Sequence, residues 1–234
     1  MRCLQSYLAS LTYLKASMAT SKPAPVTADT IAATALEIAK KSGLESISFR
    51  NIAAELHISP MTIYKFIDSK ETLLDQILLQ VINRMEIPYS STGEWKSRII
   101  DIMIAWQELL LLHPYAVQIL VNRRVPAGSQ GLGRLEEHVL AALEDGGITN
   151  DAAVKAFWQI FSMTLGQIVV DLSRAKLDRT AQELAGNDMA NTARNHGFTR
   201  VERLAARLAD THLRGNLAES LATLLAGIYN KNND

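Results

Sequence analysis

Thr62, Tyr64, Lys65 and Lys70 place two hydroxyl-bearing and two ammonium-bearing side chains in one short stretch, and Arg50 adds a guanidinium just upstream. Such groups suit a nucleic acid. Hydroxyls and point charges fit phosphate oxygens, and a guanidinium can meet guanine with two hydrogen bonds. The stretch, residues 59–74, reads SPMTIYKFIDSKETLL. It is too polar to be buried and too patterned for an ordinary loop. Polar residues on a short helix usually form just a solvated face, and charge does not choose between the readings. Residues 27–70 hold five Lys/Arg and five Asp/Glu, and the whole chain has 24 of each. What matters is where the charges lie.

Three helices are needed to position these groups. Thr27 or Asp29 caps the first, whose inner face carries Ile31, Ala35, Ile38 and Ala39. Ser42-Gly43 ends it, and Leu44 and Ile47 pack beneath. Ser48 caps the second, with Phe49, Ile52, Ala53 and Leu56 on its apolar face, and this helix stops near His57. Ser59 caps the third, and Pro60 stands where its missing N–H costs nothing. Ile63 and Ile67 then face inward, Thr62, Tyr64 and Lys65 face outward, and Phe66 is shared between core and rim. Two short helices joined by a tight turn and supported by a first helix make a helix-turn-helix unit. The later helix of such a unit enters the major groove, and its N-terminal dipole favours a phosphate.

The run SFRNIAAELHISPMTIYKFIDSKETLLDQIL resembles the DNA-binding domain of TetR-family transcriptional regulators. The matching features are Ala35, Gly43, Ile52-Ala53-Leu56, Ile58, Thr62, Ile63, Tyr64, Lys70, Leu73 and Leu74, covering roughly residues 27–78. The resemblance implies that Arg50, Thr62, Tyr64 and Lys70 touch DNA and that Pro60 and Lys65 lie on the recognition helix. It also implies a palindromic double-stranded operator, read by a homodimer. Two departures stand out. His57 replaces the turn glycine of the family and must tolerate an unusual φ. Phe66-Ile67 replaces a common His-Phe pair, which removes a histidine phosphate contact.

The rest of the chain reads as helical too, so the expected fold class is all-α: a three-helix front domain joined to a larger helical bundle. The helix opened by Lys70 and Glu71 is the connector, and Pro88 to Gly93 is the break after it. Trp95, Ile99, Ile102, Met103 and Trp106 mark a helix ending at His113-Pro114, followed by a short one through Val117, Leu120 and Val121. Arg123 to Gly133 reads as a loop. Leu135 to Leu143 is the next helix, closed by Gly146-Gly147. Ala152 to about Ser173 is apolar on almost every face and must be buried on both sides, one against the core and one against a partner subunit. Ala175 to Gly197 is more polar and reads as partly loop. The last helix carries Leu213, Leu217, Leu221 and Ile228, with Ala218, Ala222 and Ala226 at intervals of four, which suits a dimeric bundle.

This rear part resembles the C-terminal domain of the tetracycline-repressor class through GLGRLEEHVLAALEDGGITNDAAVKAFWQIFSMTLGQIVVDLSRA and HLRGNLAESLATLLAGI. The resemblance implies dimerisation through helices near 153–172 and 214–229, with a ligand cavity beside them. The metal–tetracycline site does not carry over, because the pocket histidine of that class falls near Leu120. The expected effector is therefore small, apolar and independent of metal. Met103, Trp106, His113, Trp158 and Phe161 would form the walls, and Gln118, Asn122 and Gln167 the polar anchors.

Other functions find little support. No H-x-x-x-H pair, Walker loop or G-x-G-x-x-G turn occurs, so we expect no enzyme, metal site or cofactor. The single cysteine, Cys3, excludes an internal disulfide framework. No apolar run reads as a membrane span, and the expected location is cytoplasmic. The expected organisation is an N-terminal, poorly ordered arm over 1–26, the DNA-binding domain over 27–75, connecting helix and linker over 76–93, and the ligand-binding and dimerisation domain over 94–234. The leading function is a ligand-released repressor. The alternative is a helical protein-interaction module that keeps the front unit without an effector, and Arg50 and Lys70 beside Thr62 and Tyr64 speak against it.

Overall fold

A computed structural model describes residues 25–88, 93–122, 129–174, 178–210 and 216–233. Every regular element among them is helical. Contacts divide the chain into two compact units, which meet between Ile77 and Leu78. The expected N-terminal arm, the break after Pro88 and Leu213 fall wholly or largely outside the described residues.

In the first unit, α1 spans Ala28–Ser42. Thr27 and Thr30 form a reciprocal capping pair: the Thr27 hydroxyl accepts from the Thr30 N–H at 3.1 Å, and the Thr30 hydroxyl accepts from the Thr27 N–H at 2.8 Å. Its buried face is Ile31, Ala32, Ala35, Leu36 and Ala39. Leu36 takes the inward place expected for Ile38, which is only half-buried, because the stripe runs along neighbouring pairs four residues apart. Gly43, at φ 81°, ends the helix, and a short 3-10 turn over Leu44–Ser46 delivers Ile47 to the core. Helix α2 spans Phe49–Glu55, and the Ser48 hydroxyl accepts from the Asn51 N–H at 3.1 Å. Helix α3 is only Pro60–Ile63, and α4 runs from Lys70 to Ile82, across the boundary between units.

The second unit is built around α5, Trp95–Leu112, which packs on α7 (Gln130–Asp145), α8 (Asn150–Arg174) and α11 (Leu217–Asn233). His113 closes α5, and α6 (Pro114–Asn122) turns away by 105°. Ile99, Met103, Trp106 and Leu110 form the buried stripe of α5, and Arg98 pairs with Asp145 of α7 at its rim. The expected loop through Gly133 is corrected at its end. Ser129 caps α7 by accepting from the Leu132 N–H at 3.2 Å, and Gly131 and Gly133 lie in the helix. Residues 123–128 lie outside the described set.

The segment from Ala175 to Gly197 is also corrected. Its described part forms α9, Arg179–Asn195, capped by Asp178, whose carboxylate accepts from the Ala181 N–H at 2.8 Å. Helix α10, Thr199–Ala209, pairs closely with α9 through Gly186, Ala205 and Ala206. Alanine and glycine let the two backbones approach, which replaces the large apolar side chains that periodicity looks for.

By length and composition, Asn150–Ser173 is long and apolar enough to cross a membrane, unlike the sequence expectation. Ala153, Ala156, Phe157, Ile160, Phe161 and Ile168 bury one side of it in the bundle. The other side leaves Val154, Trp158, Val169 and Val170 exposed within a single chain.

Candidate DNA-contact surface and effector cavity

The recognition element is positioned from beneath. Ile63 and Ile67 are fully buried, and the Ile67 N–H donates to the Ile63 carbonyl at 2.9 Å. His57 adopts φ 54° in the turn before it, as the missing glycine requires. Pro60 stands in the first turn of α3. Ser59 does not cap that helix with its side chain. Its hydroxyl meets the Thr62 hydroxyl at 3.0 Å, and the Thr62 N–H donates to the Ser59 carbonyl at 2.9 Å. A four-residue helix has too few aligned peptides for the expected macrodipole contribution.

Tyr64 is exposed, and its ring meets that of Phe49 edge to face, with centroids 4.8 Å apart. This contact restrains the phenol and ties α2 to the recognition element. Arg50, beside Phe49, is exposed, as are Pro60, Lys65 and Lys70, while Thr62 is half-buried. Lys70 opens α4, whose first turn is held by Ser69: its hydroxyl accepts from the Thr72 N–H at 3.0 Å. The Thr72 hydroxyl donates to Asp68 at 2.6 Å, and this bond holds the Asp68 carboxyl below its usual range. Met61, outside the expected set, is 73% exposed.

In the second unit a cavity of about 310 Å³, a size that suits a small ligand, opens between three helices. Leu120 of α6, Leu132 and Glu136 of α7, and Phe157, Trp158, Phe161 and Leu165 of α8 line it. Trp158 and Phe161 belong to the expected walls. Trp106 and Met103 are fully buried, and Trp106 packs on Phe161 with ring centroids 6.1 Å apart. The Trp106 indole N–H is buried without a hydrogen-bond partner. His113 does not line this cavity; its Nδ1 lies 2.5 Å from the Tyr115 hydroxyl at the corner between α5 and α6. Gln118 and Asn122 are exposed, and the Asn122 side chain donates to the Gln118 carbonyl at 2.8 Å. Gln167 is half-buried on α8. None of these three glutamine and asparagine side chains lines the cavity.

Sequence reasoning passed over Leu120, Leu132, Glu136, Phe157 and Leu165 as wall residues. Phe157, Phe161 and Leu165 are spaced by four, and so are Leu132 and Glu136, so two facing stripes were available as a signal. A larger, polar cleft of 670 Å³ lies along α9 and α10, lined by groups such as Arg179, Glu183 and Asp210. Among the described residues no group of three or more His, Cys, Asp or Glu could hold a metal ion.

A helix-turn-helix unit followed by an all-helical bundle defines a class of DNA-binding regulators, and comparison with known proteins agrees. Residues 31–77 match the family of bacterial regulatory proteins described as the tetR family, and residues 87–231 match the tetracyclin repressor-like C-terminal domain. The chain belongs to the TetR family. An HTH-type transcriptional regulator of Saccharopolyspora erythraea is 29% identical over 143 residues, 61% of this chain and 60% of the relative. The HTH-type transcriptional repressor DrrR1 of Streptomyces coeruleorubidus is 29% identical over 157 residues, 66% of this chain and 57% of the relative. The chain thus spans less than two thirds of these relatives. The structure of ActR from Streptomyces coelicolor in complex with actinorhodin has the same fold, with TM-score 0.76 at 21% identity, covering 90% of this chain and all of ActR.

Proposed function

We propose that this chain is a cytoplasmic, homodimeric repressor, and not an enzyme, that binds a palindromic operator and leaves it when a small, largely apolar effector enters the cavity between α6, α7 and α8. The observation that carries the reading is the pairing of an outward-facing polar and basic surface, Arg50, Pro60, Thr62, Tyr64, Lys65 and Lys70, with a ligand-sized apolar cavity in the second unit. Trp158, Phe161 and Leu165 give the cavity its apolar wall, and Glu136 is the one carboxylate among its described lining residues. The repressor description of DrrR1 and the actinorhodin complex of ActR support the same assignment.

The dimer seam is assigned to the exposed sides of α8 and α11. Val154, Val169 and Val170 on α8, and Ala222 and Ala226 on α11, are apolar and open in one chain. Effector binding must favour one spacing of the two DNA-binding units over the other, which is a population shift and needs different affinities in the two states. Selection of bound duplexes from a random pool tests the first half of the proposal. A palindromic consensus is expected, and no enrichment over bulk DNA would refute it. Operator release across a library of apolar compounds, with and without magnesium, tests the second half. Release that requires the metal would contradict the cavity assignment.

A further inference from the structure

We infer that Met61 reads sequence directly, by packing its side chain against the 5-methyl group of a thymine in each half-site; this rests on the DNA-binding reading above. Buried Ile63 and Ile67 fix the inward direction of the recognition element. Helix α3 ends at Ile63, and in the turn that follows the Lys65 N–H donates to the Thr62 carbonyl at 3.3 Å and the Phe66 N–H to the Ile63 carbonyl at 2.9 Å. At about 100° of rotation per residue, Met61 lies about 160° from buried Ile63 within α3, on the outer face, and Lys65, in the turn that follows, is exposed. Met61 therefore occupies the outer face of α3, the face that would enter a groove, with exposed Lys65 following it. Tyr64, held against Phe49, stands to one side.

Chemistry then selects the target of Met61. The side chain is apolar and unbranched, and Met61 is 73% exposed, the most open of the apolar residues on this element, ahead of Tyr64 and Phe66. It has no hydrogen to donate and only a weak sulfur acceptor, so phosphate and the polar base edges offer it nothing. The one apolar group that base pairs present in the major groove is the thymine methyl. A thioether adapts its three torsions to such a contact. Lys65, one turn on, covers the polar neighbours: a guanine edge or a phosphate.

Uracil scanning separates this contact from every other. Once the selected operator is known, each thymine is replaced by deoxyuridine, symmetrically in both half-sites, which removes one methyl and leaves base pairing intact. At one position the wild type should lose about fourfold in affinity per half-site, the effect of one buried methyl. Met61→Ala should bind the thymine and uracil duplexes at that position equally, and Met61→Leu should restore the difference. Because Met61 is exposed, neither variant disturbs the core. A series in which no thymine matters, or in which Met61→Ala keeps the full thymine preference, overturns the inference while the DNA-binding reading stands. A pool with no enriched sequence overturns both.

Discussion

The backbone N–H of Gly131 donates to the Asn83 side-chain carbonyl at 2.9 Å, fastening the first turn of α7 to the chain just past the end of α4. Arg134, one turn further along α7, donates to the carbonyls of Asn83 at 2.8 Å and Met85 at 3.2 Å. The same first turn carries Leu132, and the next carries Glu136, both in the cavity wall. The residue that lines the cavity and the residue that holds the end of α4 are thus neighbours on one helix.

This joint makes Gly131 intolerant of any side chain. A Cβ there would lie 2.0 Å from the Ile82 carbonyl oxygen, whereas one at Gly133 meets nothing within 4 Å. Gly131→Ala should destabilise the protein by about 1–3 kcal/mol, as overpacking against backbone does. Gly133→Ala should stabilise it by up to about 1 kcal/mol through helix propensity alone. Urea unfolding of the two variants checks the contrast, and equal stabilities would remove the close approach.

Backbone and base contacts should separate by mutation. Lys70→Ala should weaken binding to all sequences alike and lower the salt slope by about one unit. Tyr64→Phe keeps the ring contact with Phe49 and removes only the hydroxyl, so it tests a phosphate bond by itself. Arg50→Ala should relax preference at one base pair by about 1–3 kcal/mol if its contact is bidentate. Affinity measured on the consensus and on single-base variants at several salt concentrations distinguishes the three.

Ala222 is exposed in a single chain, so glutamate there is harmless to a monomer. At a subunit seam it buries a charge without a partner, at a cost of several kcal/mol. Ala222→Glu should sediment as a folded monomer with weak operator binding. A full-affinity dimer would place the seam elsewhere.

Filling the cavity should lock the protein on DNA. Leu165 lines the cavity and is half-buried, leaving room for a larger ring. Leu165→Trp should retain operator affinity but lose both effector-driven release and the effector-dependent rise in melting temperature. Release at wild-type effector concentrations would show that the ligand binds elsewhere.

Asp68 offers a pH test. The hydrogen bond from Thr72 lowers its pKa from the ordinary 3.8. Because the folded value lies below the unfolded one, the stabilisation is fully present above the unfolded pKa and is lost as pH falls through the folded one. Wild type should therefore exceed Asp68→Asn in stability at neutral pH and approach it in acid, below about pH 4. A gap that does not change with pH would contradict the assignment.

Much of the front unit could be read from sequence because its determinants are local. Caps at Thr27 and Ser48, Pro60 in the first turn and the inward pair Ile63 and Ile67 all act within a few residues. Even the left-handed φ of His57 follows from which residue the turn lacks. The cavity was less accessible, since its wall comes from three helices whose facing stripes are set only by packing. Gln118 and Asn122 look inward by composition, yet the 105° turn after His113 leaves them exposed. Gly131 read as a loop residue because the sequence does not reveal that a backbone carbonyl would press against it.

Helices α9 and α10 pair with each other far more than with the rest of the bundle, and their shared interior is chiefly Gly186, Ala193 and Ala205. Small residues bury little apolar area, so apolar burial holds this hairpin only weakly, and the exposed Arg194–Glu202 pair at 2.8 Å adds little. It should behave as a separate foldon, opening well below the global unfolding free energy. In an amide hydrogen-exchange experiment on one chain, Arg179–Ala209 would take up deuterium while Ile99, Met103 and Trp106 in α5 stay protected.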